Sequence, residues 1–188
     1  MFTTLFLWSL LFLPFLHAIP TTIPPPPSTL QKRCTNALQN PSFESGISPW
    51  LDMAFGSWAQ RGIYTSAEGG HSGRNFYFAQ SNATVAQTTL TLSQSEVSIQ
   101  AGTTVDCSVW VSSNRPGNVG STRVEVFLDE VTCGSAVYMG TNGWTKVGGS
   151  VVVGSGETHT MSVVIANGET GPEGSKVWID DAVVGAGC

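Results

Sequence analysis

Two of the chain's four cysteines bracket a stretch the size of one domain. Cys34 follows the basic pair Lys32-Arg33, and Cys188 is the final residue, with Cys107 and Cys133 between them. The economical pairing is Cys34–Cys188 with Cys107–Cys133, although four cysteines allow three connectivities. The first link staples both ends of residues 34–188 together and makes the first and last strands neighbours. On the chain-entropy picture it stabilises by about 5 kcal/mol, and the shorter loop by about 3 to 4 kcal/mol. A zinc site is the rival reading. The chain has no Cys-x-x-Cys pair, and only His71 and His159 follow residue 33 to help.

Disulfides imply an oxidising compartment, and the start of the chain agrees. Residues 1–16 are almost wholly apolar and run into His17-Ala18 before Ile19-Pro20. A short apolar run ending near a small residue reads as a signal peptide over 1–18. Residues 19–33 form a proline-rich leader or propeptide closing on the dibasic pair, which has the form of a processing site. Residues 34–188 form one domain. We expect a secreted, extracellular protein that acts as a monomer. No segment after the leader has the roughly 20 apolar residues a transmembrane helix needs, so no membrane partner is expected. The sequon Asn82-Ala83-Thr84 predicts glycosylation at Asn82. Six Lys and Arg in residues 34–188 face thirteen Asp and Glu, a net charge of −7. An acidic surface argues against nucleic acid.

Alternation of period two dominates the domain. Val105, Cys107, Val109 and Val111 share one face of 103–112, opposite Asp106, Ser108, Trp110 and Ser112. Val124, Val126 and Leu128 oppose Arg123, Glu125 and Phe127. His159, Met161, Val163 and Ile165 oppose Thr160, Ser162 and Val164. Such segments are half-buried antiparallel strands. Further strands are expected at 58–66, 74–80, 83–92, 144–153 and 175–184, separated by Gly and Asn clusters. The fold class is all-β, a jelly-roll β-sandwich of two antiparallel sheets.

Three ordered motifs carry a resemblance. Asn40-Pro41-Ser42-Phe43-Glu44-Ser45-Gly46 with Pro49-Trp50 opens the domain. His71-Ser72-Gly73 leads into an alternating strand. Val177-Trp178-Ile179-Asp180-Asp181-Ala182-Val183 closes it. Over residues 36–184 the chain resembles carbohydrate-binding modules of the CenC-like (family 4/9/22) type, which have a galactose-binding-like jelly roll, and its cysteine frame looks like that of small secreted fungal versions. The resemblance implies a structural Ca²⁺ where the chain ends meet, with carboxylates from Glu44 and Asp180 and with Asp181 as the other possible ligand. Calcium takes six to eight hard oxygens. It also implies that Trp144 and Trp178 are packing residues.

Sugar sites use flat aromatic side chains as platforms with polar groups around them. Trp110 lies opposite the apolar face of its strand and is the first candidate, followed by Trp58, Tyr64 and Phe127. Arg61 and Glu125 are the leading polar partners. Catalytic signatures are scarce. The sequence has no Gly-x-Ser-x-Gly elbow, and Glu125 with Asp106 is the one carboxylate pair that could approach glycosidase spacing. The leading expectation is a secreted, non-catalytic protein that binds a neutral cell-wall polysaccharide. A secreted structural or effector-like interaction protein on the same fold is the alternative, and a small glycan hydrolase comes third.

Overall fold

The computed structural model describes residues 34–82, 87–114, 122–140, 142–168 and 174–188. The signal peptide, the leader and Ala83-Thr84 of the sequon lie outside the described residues. Asn82 itself is half-buried and donates its amide to the Ser57 carbonyl.

Twelve strands and no helix occur among the described residues. They are β1 (Thr35–Asn36), β2 (Leu51–Phe55), β3 (Trp58–Thr65), β4 (Asn75–Ser81), β5 (Thr88–Val97), β6 (Thr104–Asn114), β7 (Thr122–Leu128), β8 (Val131–Thr132), β9 (Val137–Met139), β10 (Asn142–Val152), β11 (His159–Asn167) and β12 (Lys176–Ala186). The first sheet runs β10-β6-β12-β4-β3, with β1 beside β12. The second runs β2-β5-β11-β7-β8, with β9 also on β7. All the pairings are antiparallel. This is the expected two-sheet sandwich.

The core lies between the sheets and follows the alternation. Val105, Cys107, Val109, Val111, Val177 and Ile179 enter it from the first sheet. Leu90, Leu92, Val124, Val126, Met161, Val163 and Ile165 enter from the second. Full burial of such side chains contributes about 1.5–3 kcal/mol each. Phe43 of the opening motif is also fully buried. It packs against Trp50 at 5.5 Å and Tyr77 at 6.2 Å. The Trp50 indole donates to the Asn40 carbonyl at 3.1 Å, which fixes the opening segment.

Both disulfides form in the expected pairing, Cys34–Cys188 and Cys107–Cys133. The second joins β6 of the first sheet to the residue after β8 of the second, so it crosses the core.

Two strand boundaries differ from expectation. The segment expected at 83–92 is β5 at Thr88–Val97 where it is described, residues 83–86 lying outside the described residues; pairing with β11 carries the strand on to Val97 through an irregularity after Gln94. β2 at Leu51–Phe55 was not expected. Its apolar residues point to solvent, the reverse of the rule that marks a buried strand.

Candidate functional site

The residues singled out from sequence fall in three places. Glu125 and Phe127 stand on the outer face of the second sheet. Tyr64 and Trp110 stand on the outer face of the first. Trp58 and Arg61 lie at the seam between the sheets.

The seam residues are committed to structure. Arg61 on β3 pairs with Asp52 on β2. Asp52 also accepts the Tyr77 hydroxyl at 2.6 Å. Burial and this carboxylate drive the Tyr77 phenol far above its ordinary range. Trp58 packs against the core, and its indole N–H lies 3.3 Å from both the Phe55 and the Thr89 carbonyls. These contacts tie the edges of the two sheets together.

Antiparallel register sets the outer face of the second sheet into rows. Phe55, Thr89, Ala166, Arg123 and Tyr138 are successive cross-strand partners over β2, β5, β11, β7 and β9. Met53, Thr91, Val164 and Glu125 form the next row. Leu51, Ser93, Ser162, Phe127 and Thr132 form the third. At about 4.8 Å per strand step the first row spans about 19 Å. Its ends are the most exposed large apolar side chains described, Phe55 at 76% and Tyr138 at 62%. Leu51 at 57% and Met53 at 49% extend the apolar edge. Arg123 and Glu125 pair at 2.6 Å within the face, and Thr89, Thr91 and Ser162 supply hydroxyls. The face offers flat rings at both ends with charge and hydroxyl between, a surface suited to an extended polar chain with apolar patches.

Sequence reasoning missed Phe55 and Tyr138 as site residues. The signal available for Phe55 was the alternation Leu51, Met53, Phe55, but alternation alone does not say which side faces water. Tyr138 sits on a three-residue strand too short for a period to register.

The first sheet's outer face is built differently, because the β3–β4 connection folds back onto it. His71 stacks on Trp110 with ring centroids 4.0 Å apart and planes 15° apart, and meets Trp144 edge-on at 5.7 Å. The outward Trp110 expected from sequence therefore has one ring face covered. Asp180 is fully buried, and its Oδ2 accepts the Ser72 amide at 3.0 Å. Asp181 accepts from the Ser72 hydroxyl at 2.6 Å, and its other oxygen lies 2.6 Å from His71 Nδ1. Glu44 Oε1 accepts the Arg74 and Asn75 amides at 2.8 and 2.9 Å. A side chain at Gly70 would strike the Asp180 carboxylate. One at Gly73, where φ is +63°, would strike Glu44. The glycines of this turn are thus required by the close approach of two acids.

Burial raises the Asp180 carboxyl to about 6, against the amides of Ser72 and Asp181, which favour its ionised form. Burial also raises Asp181. The Ser72 hydroxyl and His71 outweigh it there, and the net direction is below the ordinary range.

Glu44 and Asp180 come to one loop, as the calcium expectation requires. Four oxygens of Asp180 and Asp181, and one of Glu44, already face N–H or O–H groups of the protein. No cluster of three or more His, Cys, Asp or Glu side chains among the described residues is arranged to hold a metal. Glu44, Asp180 and Asp181 thus meet in a hydrogen-bonded clasp around the loop.

The carboxylate pair weighed for hydrolysis does not form. Asp106 points outward from β6 and pairs with Lys146, while Glu125 points outward from β7 of the other sheet. The core lies between them. His159 is a buried histidine, as expected, with Nδ1 2.7 Å from Asp129. Among the described residues no helix is long and apolar enough to cross a membrane.

No family model and no curated protein matches the sequence. Solved structures do match the fold. TmCBM61 in complex with β-1,4-galactotriose superposes with a TM-score of 0.60 at 19% identity, covering 80% of this chain and 97% of that one. The CBM22-1 xylan-binding domain of Paenibacillus barcinonensis Xyn10C gives a TM-score of 0.53 at 16% identity, covering 81% and 94%. A family 4 carbohydrate-binding module gives 0.51 at 13% identity, covering 78% and 97%. The fold of this chain is the β-sandwich of carbohydrate-binding modules.

Proposed function

We propose that residues 34–188 form a secreted, non-catalytic domain that binds a neutral cell-wall polysaccharide along the outer face of the second sheet. The observation that carries this is the row from Phe55 to Tyr138. Two exposed rings about 19 Å apart act as platforms for the flat C–H faces of sugar rings. Arg123, Glu125 and the threonine hydroxyls between them hydrogen-bond the sugar hydroxyls. Phe127 stands in the third row of the same face. The domain's net charge of −7 disfavours an anionic polymer. The fold's likeness to carbohydrate-binding modules supports the same class of ligand.

Leu51 and Met53 favour a second reading. Aliphatic side chains have no flat face for a sugar, so the same edge also suits a protein partner.

A pull-down against insoluble xylan, β-1,3-glucan, cellulose and galactan separates the two. We expect retention on at least one polymer, weakened roughly tenfold by Phe55→Ala and again by Tyr138→Ala, the equivalent of about 1.4 kcal/mol each. Unaltered retention by the double variant removes this face from the role. No retention on any polymer favours the interaction protein. Release of soluble sugar from the polymer would make the protein an enzyme.

A further inference from the structure

The opposite face carries a cleft that the reading above does not use. Register places Ser112 of β6 beside Trp178 of β12, Trp178 beside Phe78 of β4, and Phe78 beside Gly62 of β3. Trp144 stands over the irregularity in β10, next to Ser112. The β3–β4 connection then closes one side. A cleft of about 270 Å³ results, with Trp144, Trp178, Phe76 and Ser112 on the sheet and Ser66 and Glu68 on the connection.

Both indoles are half-buried, whereas Phe76 and Phe78 beside them are buried. Each Trp thus keeps ring surface open inside a concavity, and a Trp used only for packing has no need of a cleft. The rim is polar, with one exposed carboxylate at Glu68 and the Ser66 hydroxyl, which accepts the Glu68 amide at 3.1 Å. The wall is held in place by the clasp already described, since Asp180 and Asp181 pin Ser72 and His71 a few residues beyond Glu68.

We infer that this cleft is a second carbohydrate site, which takes a single neutral pyranose ring. Its volume, about 270 Å³, falls just below the roughly 300 Å³ at which pockets for drug-sized molecules begin, a size that suits one sugar ring. A pyranose offers a flat C–H face to an indole, and its equatorial hydroxyls suit a carboxylate and serines at the rim. The open row on the other sheet suits the body of a polymer, and this cleft suits a free sugar or a chain end. The two sites are on opposite faces, so one domain can hold two glycan chains at once and gain avidity from both.

The test is titration of the residues 34–188 domain, within the full secreted protein, with methyl pyranosides of glucose, galactose, mannose and xylose, following the indole N–H resonances by NMR. At least one glycoside is expected to shift the Trp144 and Trp178 signals while leaving Trp50, buried elsewhere, in place. Glu68→Gln, at an exposed position that spares the fold, is expected to weaken the response about tenfold. Trp144→Ala is expected to abolish the Trp178 shift and to leave polymer retention unchanged. Phe55→Ala with Tyr138→Ala is expected to do the reverse, which separates failure of this site from failure of the other. The inference falls if no glycoside moves either indole at its solubility limit, or if Glu68→Gln responds like the parent. It also falls if the shifts disappear with the Phe55 and Tyr138 substitutions, or if choline, a cation that aromatic cages also accept, shifts the indoles and the sugars do not.

Discussion

The two outer faces of this sandwich come from the same kind of strand and end up unlike each other. On the second sheet, alternation delivers Phe55, Tyr138, Arg123 and Glu125 to an open surface. On the first sheet it delivers Trp110, Trp178 and Asp180 outward in the same way, and the nine-residue connection from Ser66 to Arg74 then returns over them. What separates a flat platform from a walled cleft is therefore one connection and the acids that hold it. A loop that carries donors can convert an outward carboxylate from a solvated group into a buried anchor.

Removing the anchor is the strongest way to break this contrast. Asp180→Ala strips partners from the Ser72 and Asp181 amides, and each buried group left without one costs about 1–3 kcal/mol. Tyr138→Ala on the open face, where the ring is 62% exposed, should change stability by no more than about 0.5 kcal/mol, as surface substitutions usually do. Denaturant unfolding of the two variants would measure this directly. Equal losses would mean that the faces do not differ in the way described.

A smaller effect sharpens the comparison through pH. Asp180 holds its proton more tightly in the fold than in the unfolded chain, with its pKa moving from 3.8 to about 6. Its contribution to stability is complete below about pH 4 and is lost as pH rises through about 6. Asp181 and Asp129 are shifted the other way, so their contributions are lost only as pH falls below the ordinary carboxylate range. Asp180→Asn should therefore flatten the decline in melting temperature between pH 4 and 7 without altering behaviour at lower pH. A decline of the same slope in the variant would show that Asp180 is not its source.

The smallest expected effect concerns calcium. We propose that an ion sits where the family resemblance implies it, among Glu44, Asp180 and the loop, so calcium should raise the melting temperature and chelator should lower it. Coincident melting curves would remove the site.

Much of the fold was legible in the chain because its core strands obey a period of two with β-branched residues inside. Val105 to Val111 and Met161 to Ile165 could hardly lie otherwise. The disulfide pairing followed from where the cysteines stand. The site was harder to read. Periodicity assigns a residue to one side of a strand but does not say what covers that side. Trp110 was correctly turned outward, and His71, thirty-nine positions earlier, lies over it. Phe55 looked no different from a core phenylalanine, since nothing local distinguishes an apolar residue facing water from one facing a second sheet. Trp144 and Trp178 read as packing residues because the cleft between them depends on a connection whose path only the folded chain reveals.

The closure of Cys34 on Cys188, with β1 lying against the tail of β12, also bears on load. Whatever is tethered before Cys34 or fused after Cys188 leaves the domain from one pole. Tension between two such attachments runs through a covalent bridge and bypasses the strand ladders.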